Sequence, residues 1–176
     1  MATLVITVLG EDRPGLVSSL ADVVSDHGGS WGRSQLAQLA GRFAGIVTVE
    51  VADDRAEALA SALGSVDGLT TTVQGAGEGA PEEGEIFHLD LVGHDHPGIV
   101  AQVTGVLAEQ GVWVESLETR VVPAPQAGGE LFEARAALRA PEGVDVAALQ
   151  AALEALAQEL QVDVSFDARD EAAVWE

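Results

Sequence analysis

Gly10-Glu11-Asp12-Arg13-Pro14-Gly15, near the start of the chain, and Gly93-His94-Asp95-His96-Pro97-Gly98, just past its middle, both read G-x-D-x-P-G. The first follows the apolar run from Leu4 to Val8 and the second the run from Ile86 to Val92, and each leads into apolar residues at helical spacing. Both therefore read as strand-to-helix turns. Asp12 and Asp95 are placed to accept from the early helix amides, where the helix dipole also favours negative charge. Pro14 and Pro97 fix φ where no intrahelical bond is lost. Gly15 and Gly98 leave no side chain between the helix start and a small ligand, the arrangement by which helix N-termini receive carboxylates or phosphates. A branched side chain at Gly15 is expected to block such a ligand while the turn itself persists. The alternative for either turn is that it only caps its helix and binds nothing.

Beyond the first turn, Leu16, Val17, Leu20, Val23 and Val24 share one helical face, and His27-Gly28-Gly29 supplies a glycine stop. Residues 31–39 and 43–51 read as strands around a turn at Ala40-Gly41-Arg42. Asp53 is expected to cap a second helix carrying Leu59 and Leu63, and residues 69–73 form a closing strand. The order is β-α-β-β-α-β, and it recurs. Pro14 and Pro97 are 83 residues apart, and the same offset relates Leu16 to Ile99, Leu20 to Val103 and Gly28 to Gly111. The second copy has strands at 86–92, 112–122, 131–138 and 162–166, and a helix with Val146, Leu149, Leu153, Leu156 and Leu160 on one stripe.

These readings divide the chain into a unit at 1–74, an acidic glycine-rich linker at 75–85, a unit at 86–167 and a polar tail at 168–176 containing Trp175. The fold class is α+β: two ferredoxin-like units with antiparallel sheets, helices on one face, and edge strands that need covering. Residues 123–129 are too many for a two-residue hairpin and are expected to form an exposed loop with a role of its own.

The chain has no cysteine, which rules out disulfides, thiolate metal sites and a cysteine nucleophile. Its 29 acidic residues face 8 basic ones, all arginine, for a net charge of −21. No basic face for phosphates can be assembled from that balance, so direct nucleic-acid binding and anionic membrane surfaces are disfavoured. A basic protein partner would be steered in, although acidity of this kind also serves solubility alone. The first residues lack the basic segment of a signal peptide, and no apolar run is long enough to span a bilayer. A cytoplasmic location is expected.

His88, His94 and His96 raise the question of a metal, but H-x-H without a third converging ligand is a weak pattern. Glu82 and Glu83 lie in the linker, where nothing holds them at catalytic spacing. No nucleotide-binding, hydrolase or metalloprotease motif appears in a strand-turn-helix context. The reading is of a protein that is not an enzyme and carries neither metal nor cofactor.

A β-α-β-β-α-β unit opened by G-x-D-x-P-G resembles the ACT domain, the small ferredoxin-like module that binds amino acids and regulates enzymes or transcription. Two such units, residues 3–73 and 86–167, make up nearly the whole chain. Phe43-Ala44-Gly45-Ile46 at the start of the third strand, and Pro123-Ala124-Pro125 leading to Leu131-Phe132-Glu133, are similar to the glycine cleavage system transcriptional repressor family. The resemblance implies an amino-acid effector, glycine or serine, bound near the first turn and helix, often at an interface between modules. Carried onto this chain, the site residues are Asp12, Arg13, Pro14, Gly15 and Leu16, with Asp95, His96, Pro97, Gly98 and Ile99. Ser30 and Trp113, at the starts of the second strands, replace the asparagine found in many ligand-binding relatives. Trp113 is large enough to fill the second pocket, which leaves open a structural role for the second repeat. The resemblance further implies a protein partner, either a DNA-binding transcription regulator or a metabolic enzyme, and admits a second copy of the chain. A ligand-free scaffolding module is the remaining alternative.

Overall fold

The computed structural model describes residues 1–77, 83–124 and 128–168. The chain divides into two compact units, Met1–Gly79 and Ala80–Glu176.

In the first unit the elements are β1 (Ala2–Glu11), α1 (Leu16–Asp26), β2 (Ser30–Leu39), β3 (Arg42–Val51), α2 (Ala56–Leu63) and β4 (Leu69–Gly75). The antiparallel sheet has the order β2-β3-β1-β4. Period-two alternation on β1 buries Leu4, Ile6 and Val8, while Thr3 and Thr7 face outward. The buried set meets Leu16, Leu20 and Val24 of α1, which recur every fourth residue on one face, and Leu59 and Leu63 of α2. Helix α1 ends in a Schellman motif, with the Gly29 amide donating to Val24 O and the Gly28 amide to Ser25 O, both at 2.8 Å.

The second unit repeats this plan with β5 (Glu85–His94), α3 (Ile99–Glu109), β6 (Trp113–Pro123), β7 (Glu130–Ala140), α4 (Val146–Leu160) and β8 (Val162–Ala168), in the sheet order β6-β7-β5-β8. Leu89 and Leu91 of β5 pack with Ile99, Val103 and Leu107 of α3 and with Leu149 and Leu153 of α4. The Schellman ending returns as Val112 N–H to Leu107 O at 2.9 Å and Gly111 N–H to Ala108 O at 3.0 Å.

Both α+β units therefore have the ferredoxin-like β-α-β-β-α-β order anticipated from the repeat. Several local readings are corrected. Strands β4 and β5 run through Gly75 and from Glu85, so they take both ends of the expected linker; residues 78–82 lie outside the described part. Asp53 opens a short 3₁₀ turn, Asp53–Arg55, and caps nothing; its carboxylate pairs instead with the N-terminal ammonium of Met1 at 2.9 Å. The cap is at Asp145, whose Oδ1 accepts from Ala148 N at 3.0 Å at the start of α4. Strands β6 and β7 extend to Pro123 and Glu130, and Ala124 N–H donates to Gly129 O at 3.0 Å. The rest of that loop, residues 125–127, and Trp175 lie outside the described residues. No helix among the described residues is long and apolar enough to cross a membrane.

Candidate functional site

The two turns are built alike, and each glycine of G-x-D-x-P-G has its own reason, steric for the first and conformational for the last. A Cβ on Gly10 would stand 2.3 Å from Gly68 O, and one on Gly93 would stand 2.2 Å from Val162 Cγ1. The first glycine thus lets the end of the central strand pass against its neighbour. The last glycine is the helix N-cap: Gly15 has φ 91° and Gly98 φ 97°, both left-handed. A Cβ on Gly15 would meet nothing within 4 Å, and one on Gly98 only Gln102 Nε2 at 3.4 Å. The space is open, but the backbone conformation is not one an L side chain takes readily. A branched residue at Gly15 would strain the turn as well as obstruct a ligand, contrary to the reading from sequence.

Neither aspartate caps its helix. Helices α1 and α3 have no side-chain cap bond. The backbone amides of the aspartates fasten the turns to the neighbouring hairpins: Asp12 N–H donates to Gly41 O and Asp95 N–H to Glu130 O, each at 3.0 Å. Pro14 and Pro97 precede the N-cap glycine instead of occupying the first helical position, and so stiffen the approach to the helix. The first intrahelical bonds are Ser19 N–H to Gly15 O at 2.9 Å and Gln102 N–H to Gly98 O at 3.0 Å. The amides of Leu16, Val17 and Ser18, and of Ile99, Val100 and Ala101, precede those bonds and have no carbonyl of their own helix to meet. These are two glycine-capped helix N-termini of the kind that receives anions.

The surrounding side chains differ between the turns. Arg13 donates to Asp67 O at 2.6 Å and pairs with the Asp67 carboxylate at 3.1 Å, tying the first turn to the loop before β4. Arg42 lies 3.7 Å from Glu11 at the same end of the sheet. Around the second turn the equivalents are His94 and His96, and His96 Nδ1 lies 3.3 Å from Pro97 O. Leu16 and Ile99 are buried, at 3 % exposure each, so their side chains belong to the core and only their backbones belong to the turn surface.

Ser30 and Trp113 are not brought to these turns within their own units. Ser30 of β2 lies opposite Glu50 of β3, which in turn pairs with Thr3 of β1; that row is seven residues along β1 from Gly10, about 23 Å at the rise of a strand. Trp113 lies opposite Arg139, which pairs with Ile86, likewise far from Gly93. Trp113 is also 47 % exposed and does not fill a pocket. Strand alternation turns its neighbour Val114 toward α3 instead. His88 lies six residues before His94, opposite Ala137, and among the described residues no three histidine, aspartate or glutamate side chains converge as metal ligands would.

The sequence matches the family model described as the ACT domain over residues 2–73 and again over 85–167. The chain belongs to the ACT-domain family. It consists of two tandem ACT modules that coincide with the two structural units. Its fold is similar to the crystal structure of an unknown protein from Galdieria sulphuraria, with a TM-score of 0.86 and 30% identity over 96% of this chain and 99% of that one. It is also similar to a crystal structure assigned provisionally as a glycine cleavage system transcriptional repressor, with a TM-score of 0.69 and 21% identity over 97% and 98% of the two chains. No curated protein matches the chain.

Two features of the ACT turns escaped the sequence reading. Asp67 reaches Arg13 from a loop 54 residues away, and no local pattern announces such a pairing. The close approach at Gly10 and Gly93 was in principle available, since a strand glycine at matching positions of a repeat marks a tight passage.

Proposed function

We propose that this tandem ACT protein is an amino-acid-responsive regulator that acts through contact with another protein. The observation that carries the reading is the duplicated, glycine-capped helix N-terminus, each with first-turn amides left to a ligand. The carboxylate of a free amino acid meets those amides, and at the first turn its ammonium meets the Asp12 carboxylate, which has no partner among the described residues. The absence of a side chain at Gly15 suits the smallest effectors, glycine and serine. A net charge of −21 assigns any contact with nucleic acid to the partner. Control of transcription through a DNA-binding protein accords with that charge and with the description of the structure that shares this chain's fold.

The test is a thermal-shift screen of the intact chain against the twenty amino acids. A ligand bound only by the folded state stabilises it by about 2.7 kcal/mol at a hundredfold excess over Kd, which for modules of this size raises Tm by about 10–20 °C. A shift with glycine or serine supports the reading. Flat curves for all twenty contradict it.

A further inference from the structure

The repeat makes the two modules directly comparable, and they differ at one place between the first helix and the outer strand. In the second module an apolar cavity of about 20 Å³ opens there, with Ile99, Val100 and Leu107 of α3 on one side and Val114, Leu117 and Ala136 of β6 and β7 on the other. Thr104 is the only lining residue with a polar side chain, and its hydroxyl donates to Val100 O at 2.8 Å. The cavity begins at Ile99 and Val100, the residues whose amides open α3.

Register identifies the counterparts in the first module. Val114 lies opposite Leu138 and Leu117 opposite Ala136, as Trp31 lies opposite Val49 and Ser34 opposite Val47. Trp31 is packed against the core of its module, and its Nε1–H donates to Ser34 Oγ at 3.3 Å, which fixes the ring. Val47 stands where the second module has only Ala136. Leu117 of the second module is larger than Ser34, but it does not make up for both the missing indole and the missing valine methyls: the first module closes with Trp31, Ser34 and Val47 the space that the second lines with Val114, Leu117 and Ala136. In a close-packed interior such a space is kept only if something else occupies it or its cost is borne.

We infer that the two modules recognise different amino acids: the cavity of the second takes a branched aliphatic side chain, that of valine or leucine, while Trp31 restricts the first to the smallest effectors. The inference rests on the proposed amino-acid binding and adds its specificity. On this measure of volume, about 10–15 Å³ holds one water-sized group, so the cavity accepts roughly one or two methyls, the branched end of such a side chain. An isopropyl group cannot enter where Trp31 stands. The lining has no charge and no free donor to hold a polar side chain. Burial of an aliphatic side chain is worth about ten- to a hundredfold in affinity, which sets the discrimination expected between valine and glycine at the second module.

Isothermal titration of the intact chain with L-valine, L-leucine and glycine tests this, in the native sequence and in two reciprocal variants. Native protein should bind valine or leucine at one site per chain. Val114→Trp copies the first module's solution at a half-exposed position and should weaken that binding at least about tenfold, while glycine binding at the first module persists. Trp31→Val opens the first module and should raise the valine stoichiometry from one to two, a readout that does not depend on the folding of the other variant. Glycine binding without valine or leucine binding overturns the specificity and leaves the amino-acid reading standing, as does valine binding unchanged in Val114→Trp. No heat with any of the three overturns both.

Discussion

The amide of Asp12 donates to the carbonyl of Gly41 at 3.0 Å, so the turn that opens α1 is fastened to the tip of the β2–β3 hairpin. That tip is itself strained: Ala40 has φ 50° and Gly41 φ 77°. Two successive left-handed residues make the hairpin turn that matches strand twist, for which Asn-Gly is the favoured pair. Alanine in the left-handed region costs about 1 kcal/mol. Ala40→Asn is therefore expected to stabilise the first module by about 0.5–1 kcal/mol, read in urea as a higher midpoint at unchanged slope.

The first glycines of the two motifs face different obstacles, and a double-mutant comparison separates them. Gly10→Ala drives its Cβ against the backbone carbonyl of Gly68, whereas Gly93→Ala drives its Cβ mainly against the side chain of Val162. Both should destabilise by about 1–3 kcal/mol. Val162→Ala should recover part of the loss in Gly93→Ala, shown as a favourable coupling in a double-mutant cycle. No truncation of Leu69, the other neighbour of Gly10, should recover Gly10→Ala to the same degree.

The last glycines fail for a conformational reason. Gly15→Ala meets open space but must hold φ near 91°, at a cost of about 1–2 kcal/mol. Gly15→Asn should cost less, because asparagine tolerates that region. Chemical denaturation of the two variants side by side gives the comparison, and equal losses would point to a steric origin instead.

Two aspartates near helix starts should differ sharply. Asp145 accepts from Ala148 N at the start of α4, so Asp145→Ala should cost about 1 kcal/mol in unfolding free energy. Asp53 pairs only with the exposed N-terminal ammonium, and Asp53→Ala should change stability by less than about 0.5 kcal/mol. Raising the salt concentration should erase the second effect and leave the first.

What was legible in the sequence followed from periodicity. Leu4, Ile6 and Val8, with Leu16, Leu20 and Val24, announced strand and helix because burial imposes periods of 2 and 3.6 on any such chain. The 83-residue offset then fixed the number of units. What was not legible depended on partners distant in sequence. Asp53 and Asp145 precede their helices alike, yet Asp53 stands beside the chain terminus and opens a 3₁₀ turn. Ser30 and Trp113 join the ligand residues by resemblance alone, and strand register sets them, within each unit, at the end of the sheet away from the turn. The difference between Trp31 and Val114 was written in the sequence, but its meaning required knowing which face of β2 and β6 meets the helix.

The central claim is that a free amino acid sits on the first turns of α1 and α3, which no side chain caps. Its most direct measurement is a titration of ¹⁵N-labelled protein with glycine, and then with valine, followed through the backbone amide resonances. The account predicts saturable shifts concentrated at Gly15–Ser18 with glycine and at Gly98–Ala101 with valine. Shifts confined to other parts of the sheets, or none at millimolar ligand, would contradict it.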